Sequence, residues 1–236
     1  MPTANLTYRP ADARGVTDIN WLKSRHSFSF GQYNDPNNTH FRVLRVINDD
    51  IVAPGGGFGE HGHDNMEIMT WVLSGALEHG DSLGHMQTLQ PGELQVMTAG
   101  RGIRHSEMNA SDTEPAHFLQ MWIFPATRDA EPNYEQKSFD AADRDGKWDT
   151  LASGRGHATA VSINQEAELR VADVKARNTI SVSIEEGRFG YLHIATGEAQ
   201  VDGQALSAGD ALTIEGLAAF EVSANADTQL ILFDLP

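Results

Sequence analysis

Two tripeptides, His61-Gly62-His63 and His105-Ser106-Glu107, each set two metal-ligating side chains one residue apart. On a β-strand that spacing sends both members of a pair to one face, because successive side chains alternate across the pleat. If both tripeptides are strands of one barrel, three imidazoles and one carboxylate converge. Such a donor set suits a borderline transition metal (Fe, Mn, Co, Ni, Cu or Zn) better than Ca or Mg, which want mostly oxygen ligands. A lone H-x-H beside glycines would read as an exposed turn; the second tripeptide makes it a candidate site. His61, His63, His79, His85 and His105, half of the ten histidines, fall in this one segment. Neighbouring glycines allow sharp turns and close backbone approach at a barrel mouth.

The surrounding residues carry strand signals. MEIMTWVLSG, ELQVMTAG and HFLQMWIF are short apolar runs separated by glycine, Asp-Ser or Pro-Gly, a rhythm that predicts a sandwich or barrel. Upstream, residues 1–50 read as a polar arm, an aromatic-rich stretch (Trp21, His26, Phe28, Phe30, Tyr33) and a strand at Phe41–Val46. Residues 126–157 are polar, charged and irregular, and read as the connection between domains. The remainder returns to strands: NTISVSI, FGYLHIATG, EAQVDGQALS, DALTIEG, AAFEVSA and QLILFDLP.

An internal repeat links the halves. Gly75 answers Gly197, and Pro91-Gly92-Glu93 answers Ala208-Gly209-Asp210. Counting back from the glycines, Ser183 and Glu185 fill the places of His61 and His63, and LAAFEVSA stands where GIRHSEMN would be. The expected architecture is all-β, with a domain at 1–135 carrying one metal and a domain at 136–236 without metal ligands.

Composition narrows the function. The chain has 236 residues, enough for substantial cores, and no cysteine, so neither a disulfide nor a thiolate ligand is available. Its net charge of −16 disfavours direct binding to nucleic acid or to anionic membrane. No apolar run approaches the roughly 18 residues of a membrane span, and the first residues hold no signal-like apolar core. A cytoplasmic protein is expected.

These residues resemble the cupin superfamily and, more narrowly, the pirin family. The first cupin motif, G-x5-H-x-H-x3-E followed by glycine, is matched by Gly55, His61, His63, Glu67 and Gly75, with a last gap one residue longer than usual. The second, G-x2-H-x3-N, is matched by Gly102, His105 and Asn109. The pirin resemblance rests on FGEHGHDNMEIMTWVLSG, EHGDSLG and AGRGIRHSE, and extends loosely from WLKSRHSFSFGQYNDP to the terminal LFDLP. It implies a bicupin, two jelly-roll β-barrels in one chain, with metal in the first. It also implies the ligand set His61, His63, His105 and Glu107, since pirins take their carboxylate from the second motif. Many other cupins use the first-motif glutamate, so Glu67 competes; it has the parity of His61 and His63 and otherwise serves as an acceptor for a ligand imidazole or as a pocket carboxylate. Gly62 stands where the family often has proline.

Some pirin-like proteins are similar to quercetin 2,3-dioxygenases, which open the flavonol C ring with O2 and release carbon monoxide. The implied partners are a small aromatic substrate and O2, the implied cofactor one divalent transition metal per chain, iron first, and Glu107 the catalytic carboxylate taking a substrate proton. The rival is a metal-binding, redox-sensing regulator acting through protein partners. An open aromatic cavity favours the enzyme; a closed site with a broad apolar patch favours the regulator.

Other residues carry weaker signals. The G-x-G-x-x-G at Gly57–Gly62 precedes a strand-like run and no helix, so it is a chance match to the dinucleotide fingerprint. His79, in EHGDSLG, reads as part of a hairpin turn with Asp81 and Ser82. His26 is a packed imidazole or lines the pocket entrance. Arg101 and Arg104 brace the surface, or orient an acidic ligand or Glu107. Alternation puts Phe118, Gln120, Trp122 and Phe124 on one face of HFLQMWIF and His117, Leu119, Met121 and Ile123 on the other.

Overall fold

The computed structural model describes residues 5–216 and 218–236. The first four residues of the polar arm and Leu217, which begins the LAAFEVSA segment, lie outside the described residues. The chain forms two compact units. One comprises residues 14–139 with 163–165; the other takes 5–13, 140–162 and 166–236.

The first unit is two antiparallel sheets. The larger has seven strands in the order Asn133–Ser138, Glu93–Thr98, Glu67–Ser74, Ala116–Ile123, Leu44–Val52, Leu22–His26, Gly15–Ile19. The smaller has four, in the order Gly57–His63, Ile103–Asn109, Leu77–Asp81, Met86–Leu89. Apolar side chains of both sheets fill the interior. Leu22, Val52, Val72, Leu77, Leu89 and Phe118 form one buried cluster, and Ile68, Met97, Ala99 and Ile103 a second. Each fully buried large side chain contributes about 1.5–3 kcal/mol.

A row of polar residues runs between these clusters. Cross-strand register places His26 opposite Asn48, Asn48 opposite Gln120, Gln120 opposite Thr70, Thr70 opposite Gln95 and Gln95 opposite Gln136. Val72 and Phe118 flank the row on one side, Ile68 and Trp122 on the other. Buried polar side chains of this kind are stable only when hydrogen-bonded; His26 and Asn48 bond each other within the sheet, and Gln120, Thr70 and Gln95 find a partner on the opposing one. It also identifies the cavity-lining face of HFLQMWIF, since Gln120 and Trp122 line the interior cavity. Leu119, Met121 and Ile123 on the other face are buried as well.

The second unit repeats the scheme. Its seven-stranded sheet runs Asn5–Arg9, Ala211–Glu215, Phe189–Thr196, Thr228–Leu235, Glu168–Val174, Asp149–Ser153, Val161–Ser162, and its four-stranded sheet Thr179–Ile184, Ala218–Ala224, Glu198–Val201, Gln204–Ser207. Its interior is apolar, with Ile180, Val182, Ile184, Leu192, Leu212 and Val222 packed together. The glycine count placed Ser183 and Glu185 at the ligand positions, yet both face solvent while Val182 and Ile184 point inward. A one-residue offset in a strand exchanges its faces, and the repeat is offset by one here.

Three sequence expectations need correction. The polar arm contains a strand, Asn5–Arg9, paired with Ala211–Glu215 in the second unit. The strand expected at Phe41–Val46 occupies Leu44–Val52; Arg42 has φ 53°, which interrupts extended backbone before it. The irregular connection at 126–157 holds strand Asn133–Ser138, a short helix Ala141–Arg144 capped by the Asp140 side chain, and strand Asp149–Ser153. Asn133–Ser138 is the edge of its sheet and carries mostly polar side chains, as edge strands commonly do. That polarity hid it.

Candidate metal centre

Strands Gly57–His63 and Ile103–Asn109 are antiparallel neighbours, with His61 directly opposite His105 and His63 opposite Ile103. Alternation turns His61, His63 and His105 into one cluster. Ring centroids lie 4.7 Å (His61–His63), 4.5 Å (His61–His105) and 4.9 Å (His63–His105) apart. The three offer ligand nitrogens within 4.8 Å of one another. The register slips by one residue between His105 and Glu107, leaving an extra residue on the His61 strand, the signature of a β-bulge. Within that bulge the Gly59 carbonyl lies 2.8 Å from His61 Nδ1. A carbonyl only accepts, so Nδ1 is the donor to it, and Nε2 is the ring nitrogen left to the cluster.

Electrostatics keep the other two rings neutral. Burial first, then the neighbouring imidazoles, push His63 down to about 4 and His105 down to about 3. Both are therefore uncharged donors at neutral pH, the form a metal requires. His63 Nε2 and both nitrogens of His105 are buried without a hydrogen-bond partner. An orphaned buried polar group costs about 1–3 kcal/mol, and several lone pairs gathered at one point are unfavourable unless a cation joins them. The donor set fits a transition metal.

Glu107 enters from the same strand as His105 and is 2% exposed. Its Oε2 accepts from Gln120 Nε2 at 2.7 Å, and its Oε1 lies 3.2 Å from Gln95 Nε2 and 3.2 Å from the Thr70 hydroxyl. The polar row of the seven-stranded sheet thus fixes a carboxylate carried by the four-stranded one. Donor atoms of Glu107, His105 and His79 also lie within 4.8 Å of one another, so His105 belongs to two overlapping groups.

His79 departs from the hairpin-turn reading. It lies on strand Leu77–Asp81, opposite Glu107, fully buried and stacked on Tyr134 at 4.4 Å. Its Nε2 meets Asp81 Oδ2 at 3.0 Å, while its Nδ1 has no hydrogen-bond partner. The turn itself belongs to Asp81, which accepts from the backbone of Leu83 and His85 and from the His85 ring. Burial raises the Asp81 pKa, but these hydrogen bonds outweigh it and the net shift is downward. Nothing in EHGDSLG separates a buried strand histidine from a turn histidine.

Glu67 stands apart from the cluster. Asn65 adopts φ 50°, the first strand ends at His63, and Glu67 starts a strand of the other sheet. Parity is lost at that corner. Glu67 Oε2 accepts from the Thr98 hydroxyl and the Asn164 backbone N–H, at 2.8 and 3.1 Å, and Ile68 is the neighbour that lines the cavity. Burial, opposed by these hydrogen bonds, raises its pKa. Its Oε1 is buried without a partner. Arg101 pairs with Glu131 and Arg104 with Glu60, all exposed, so both arginines brace the surface and neither reaches Glu107.

The cluster opens into a cavity of about 1050 Å³. Trp21, Phe30, Tyr33, Phe58 and Trp122 give it aromatic walls, and His26, Asn48, Asp50 and Gln120 a polar one. Trp122 stands edge-on to His63 at 4.8 Å and to Phe30 at 5.4 Å. Tyr33 packs against Gly15 so closely that a Cβ there would lie 2.2 Å from its ring. His26 is both packed and cavity-lining: Thr17 and Asn48 each hold a ring nitrogen at 2.8 Å, and Phe30 stacks on it at 5.4 Å. Thr70, Gln95, Asn48 and Asp50 escaped the sequence reading, although each is a lone polar interruption or a short polar step in an apolar strand.

Comparison with known proteins agrees with the geometry. The Pirin family model matches residues 8–123, and a model described as the quercetinase C-terminal cupin domain matches 150–235. The chain is 42% identical over 229 residues to a protein of Escherichia coli (strain K12) named quercetin 2,3-dioxygenase, covering 97% of each. It is 41% identical over 227 residues to a pirin-like protein of Caulobacter vibrioides, covering 96% of this chain and 97% of the other. Among solved structures, the bacterial pirin YhhW of Escherichia coli in complex with nickel(II) superposes with a TM-score of 0.92 at 38% identity, covering 98% of this chain and 99% of that one.

Proposed function

The chain belongs to the pirin family, and on that premise we propose that it is a metal-dependent dioxygenase opening the flavonol C ring with O2 and releasing carbon monoxide. The observation that carries the reading is the cluster of His61, His63 and His105, with unpartnered ring nitrogens on the last two, facing an aromatic-walled cavity large enough for a flat polycyclic substrate. The fold is read as a bicupin, each unit a jelly-roll barrel, with the sequence boundary near residue 135 and the metal in the first.

His61, His63 and His105 would hold the metal, with Glu107 as the fourth ligand; iron is the proposed ion, and manganese, cobalt, nickel, copper and zinc suit the same donors. Such an ion would supply Lewis acidity toward an oxygen donor of the substrate. Trp122, Phe30 and Tyr33 receive the flat rings and exclude water. Glu107 takes the proton of the 3-hydroxyl, its carboxylate held in place by Gln120, Gln95 and Thr70. In the net reaction both atoms of O2 stay in the ring-opened ester, and C3 of the flavonol leaves with its oxygen as carbon monoxide.

The open aromatic cavity favours this enzyme over the regulatory protein acting through partners. No helix among the described residues is long and apolar enough to cross a membrane, and the proposed location is the cytoplasm. The test is anaerobic addition of quercetin to metal-loaded protein, then admission of O2 and detection of carbon monoxide, with apo-protein as control. Metal-dependent carbon monoxide release is expected. Equal turnover by the apo-protein overturns the mechanism, and no turnover of any flavonol transfers the reading to the regulator.

A further inference from the structure

Asp50 lies on strand Leu44–Val52, between Ser24 and Phe118 of the adjacent strands, and lines the cavity. It is 2% exposed, and its Oδ1 has no hydrogen-bond partner. Among the cavity's other polar groups, His63, His105 and Trp122 also carry unpartnered ring nitrogens, whereas Oδ1 of Asp50 is an unpartnered carboxyl oxygen. His26 is held by Thr17 and Asn48, and Gln120 is held between Thr70 and Glu107. An unpartnered carboxyl oxygen in the cavity wall is a place for a ligand's donor, because burying it without one is unfavourable.

We propose that Asp50 is a specificity-determining residue whose carboxyl receives a phenolic hydroxyl of a polyhydroxylated aromatic substrate, at a point separate from the edge presented to His61, His63 and His105. The assignment rests on the flavonol reading and deepens it. A phenolic O–H is the chemistry that fits: the aromatic walls accept flat rings, and a bare ring edge against Asp50 would leave the carboxyl desolvated and unpaired. Burial also pushes Asp50 up to about 7, a hydrogen bond from Ser24 opposing the shift, so the group can accept or donate at neutral pH. Strong discrimination by a single hydroxyl is what such an open buried polar group produces.

The test compares quercetin with 3-hydroxyflavone, which keeps the 3-hydroxy-4-ketone edge and lacks every other hydroxyl. Anaerobic titration of metal-loaded protein, followed by quenching of tryptophan fluorescence, reads binding directly, since Trp21 and Trp122 line the cavity. Wild type is expected to bind quercetin at least about tenfold more tightly, the effect of one hydrogen bond to an ionisable group. Asp50→Ala and the near-isosteric Asp50→Asn should bring the two ligands to within about threefold of each other. Both variants should keep wild-type metal content and a melting temperature no lower than wild type. Equal binding of the two ligands by wild type, or a preference surviving in both variants, overturns the Asp50 assignment and leaves the flavonol reading standing. Binding of neither ligand by wild type instead removes the flavonol reading, and this subsite with it.

Discussion

Gln120 Nε2 donates to Glu107 Oε2 across 2.7 Å, joining the polar row of the seven-stranded sheet to the carboxylate carried by the four-stranded one. The bond couples two strands that share no register, and it depends on a polar side chain where the flanking rows are Phe118 with Val72 and Trp122 with Ile68. An apolar residue at 120 would complete the core at the cost of Glu107's position. Glutamine there is explained by the site rather than by packing.

Gln120→Leu should therefore fold well and work badly. Loss of an outer partner of a metal or catalytic group costs about 10–100-fold in affinity or activity, and carbon monoxide release should fall by that much. Glu67→Gln is the contrasting variant, since Glu67 bonds Thr98 and Asn164 away from the cluster. Its metal content, read by elemental analysis, should equal that of wild type. A Glu67→Gln protein that loses its metal would reverse the assignment of the carboxylate.

The imidazole cluster predicts one metal per chain, because the second unit has Val182 and Ile184 facing inward on the strand that answers Gly57–His63. Elemental analysis should give a stoichiometry near one. His63→Ala and His105→Ala should each abolish tight binding while preserving the sheet signal in circular dichroism. Neither unit depends on the metal for its core, since the apolar clusters close around Phe118 and around Val182 without it. Loss of the sheet signal would mark the site as structural.

What the sequence made legible were features expressed within one strand. His61-Gly62-His63 and His105-Ser106-Glu107 encode their shared face by spacing alone, and the structure sets His61 opposite His105. Glu67 misled because parity holds only while a strand continues, and Asn65 turns the chain into another sheet. Ser183 and Glu185 failed for the same reason, a one-residue offset exchanging faces. His79 and Asp50 are legible only in three dimensions: one becomes a neighbour of Glu107 through strand pairing, the other borders the cavity through a register fixed by Ser24 and Phe118. Single polar residues inside apolar runs, such as Gln95 and Gln120, were the available signal for the row that holds Glu107.

Asp50 makes a prediction in pH as well as in ligand choice. In the unfolded chain it titrates near the ordinary carboxyl value of about 3.9, whereas burial raises it to about 7 in the folded protein. Between those values the native state holds a proton that the unfolded state has released, so the contribution of Asp50 to stability falls as pH rises through that window. His63 and His105 act in the opposite sense: their folded values, about 4 and about 3, lie below the ordinary 6.5, so acid favours the unfolded chain there. Wild-type apo-protein blends the two effects. Asp50→Asn removes only the first, so its melting temperature should exceed that of wild type by a larger margin at pH 8 than at pH 5. Scanning calorimetry of the two apo-proteins at those pH values is the measurement. A margin that is constant, or larger at pH 5, would show that Asp50 ionises as freely in the folded protein as in the unfolded chain, and that its carboxyl is in contact with water rather than held in a dry wall awaiting a ligand.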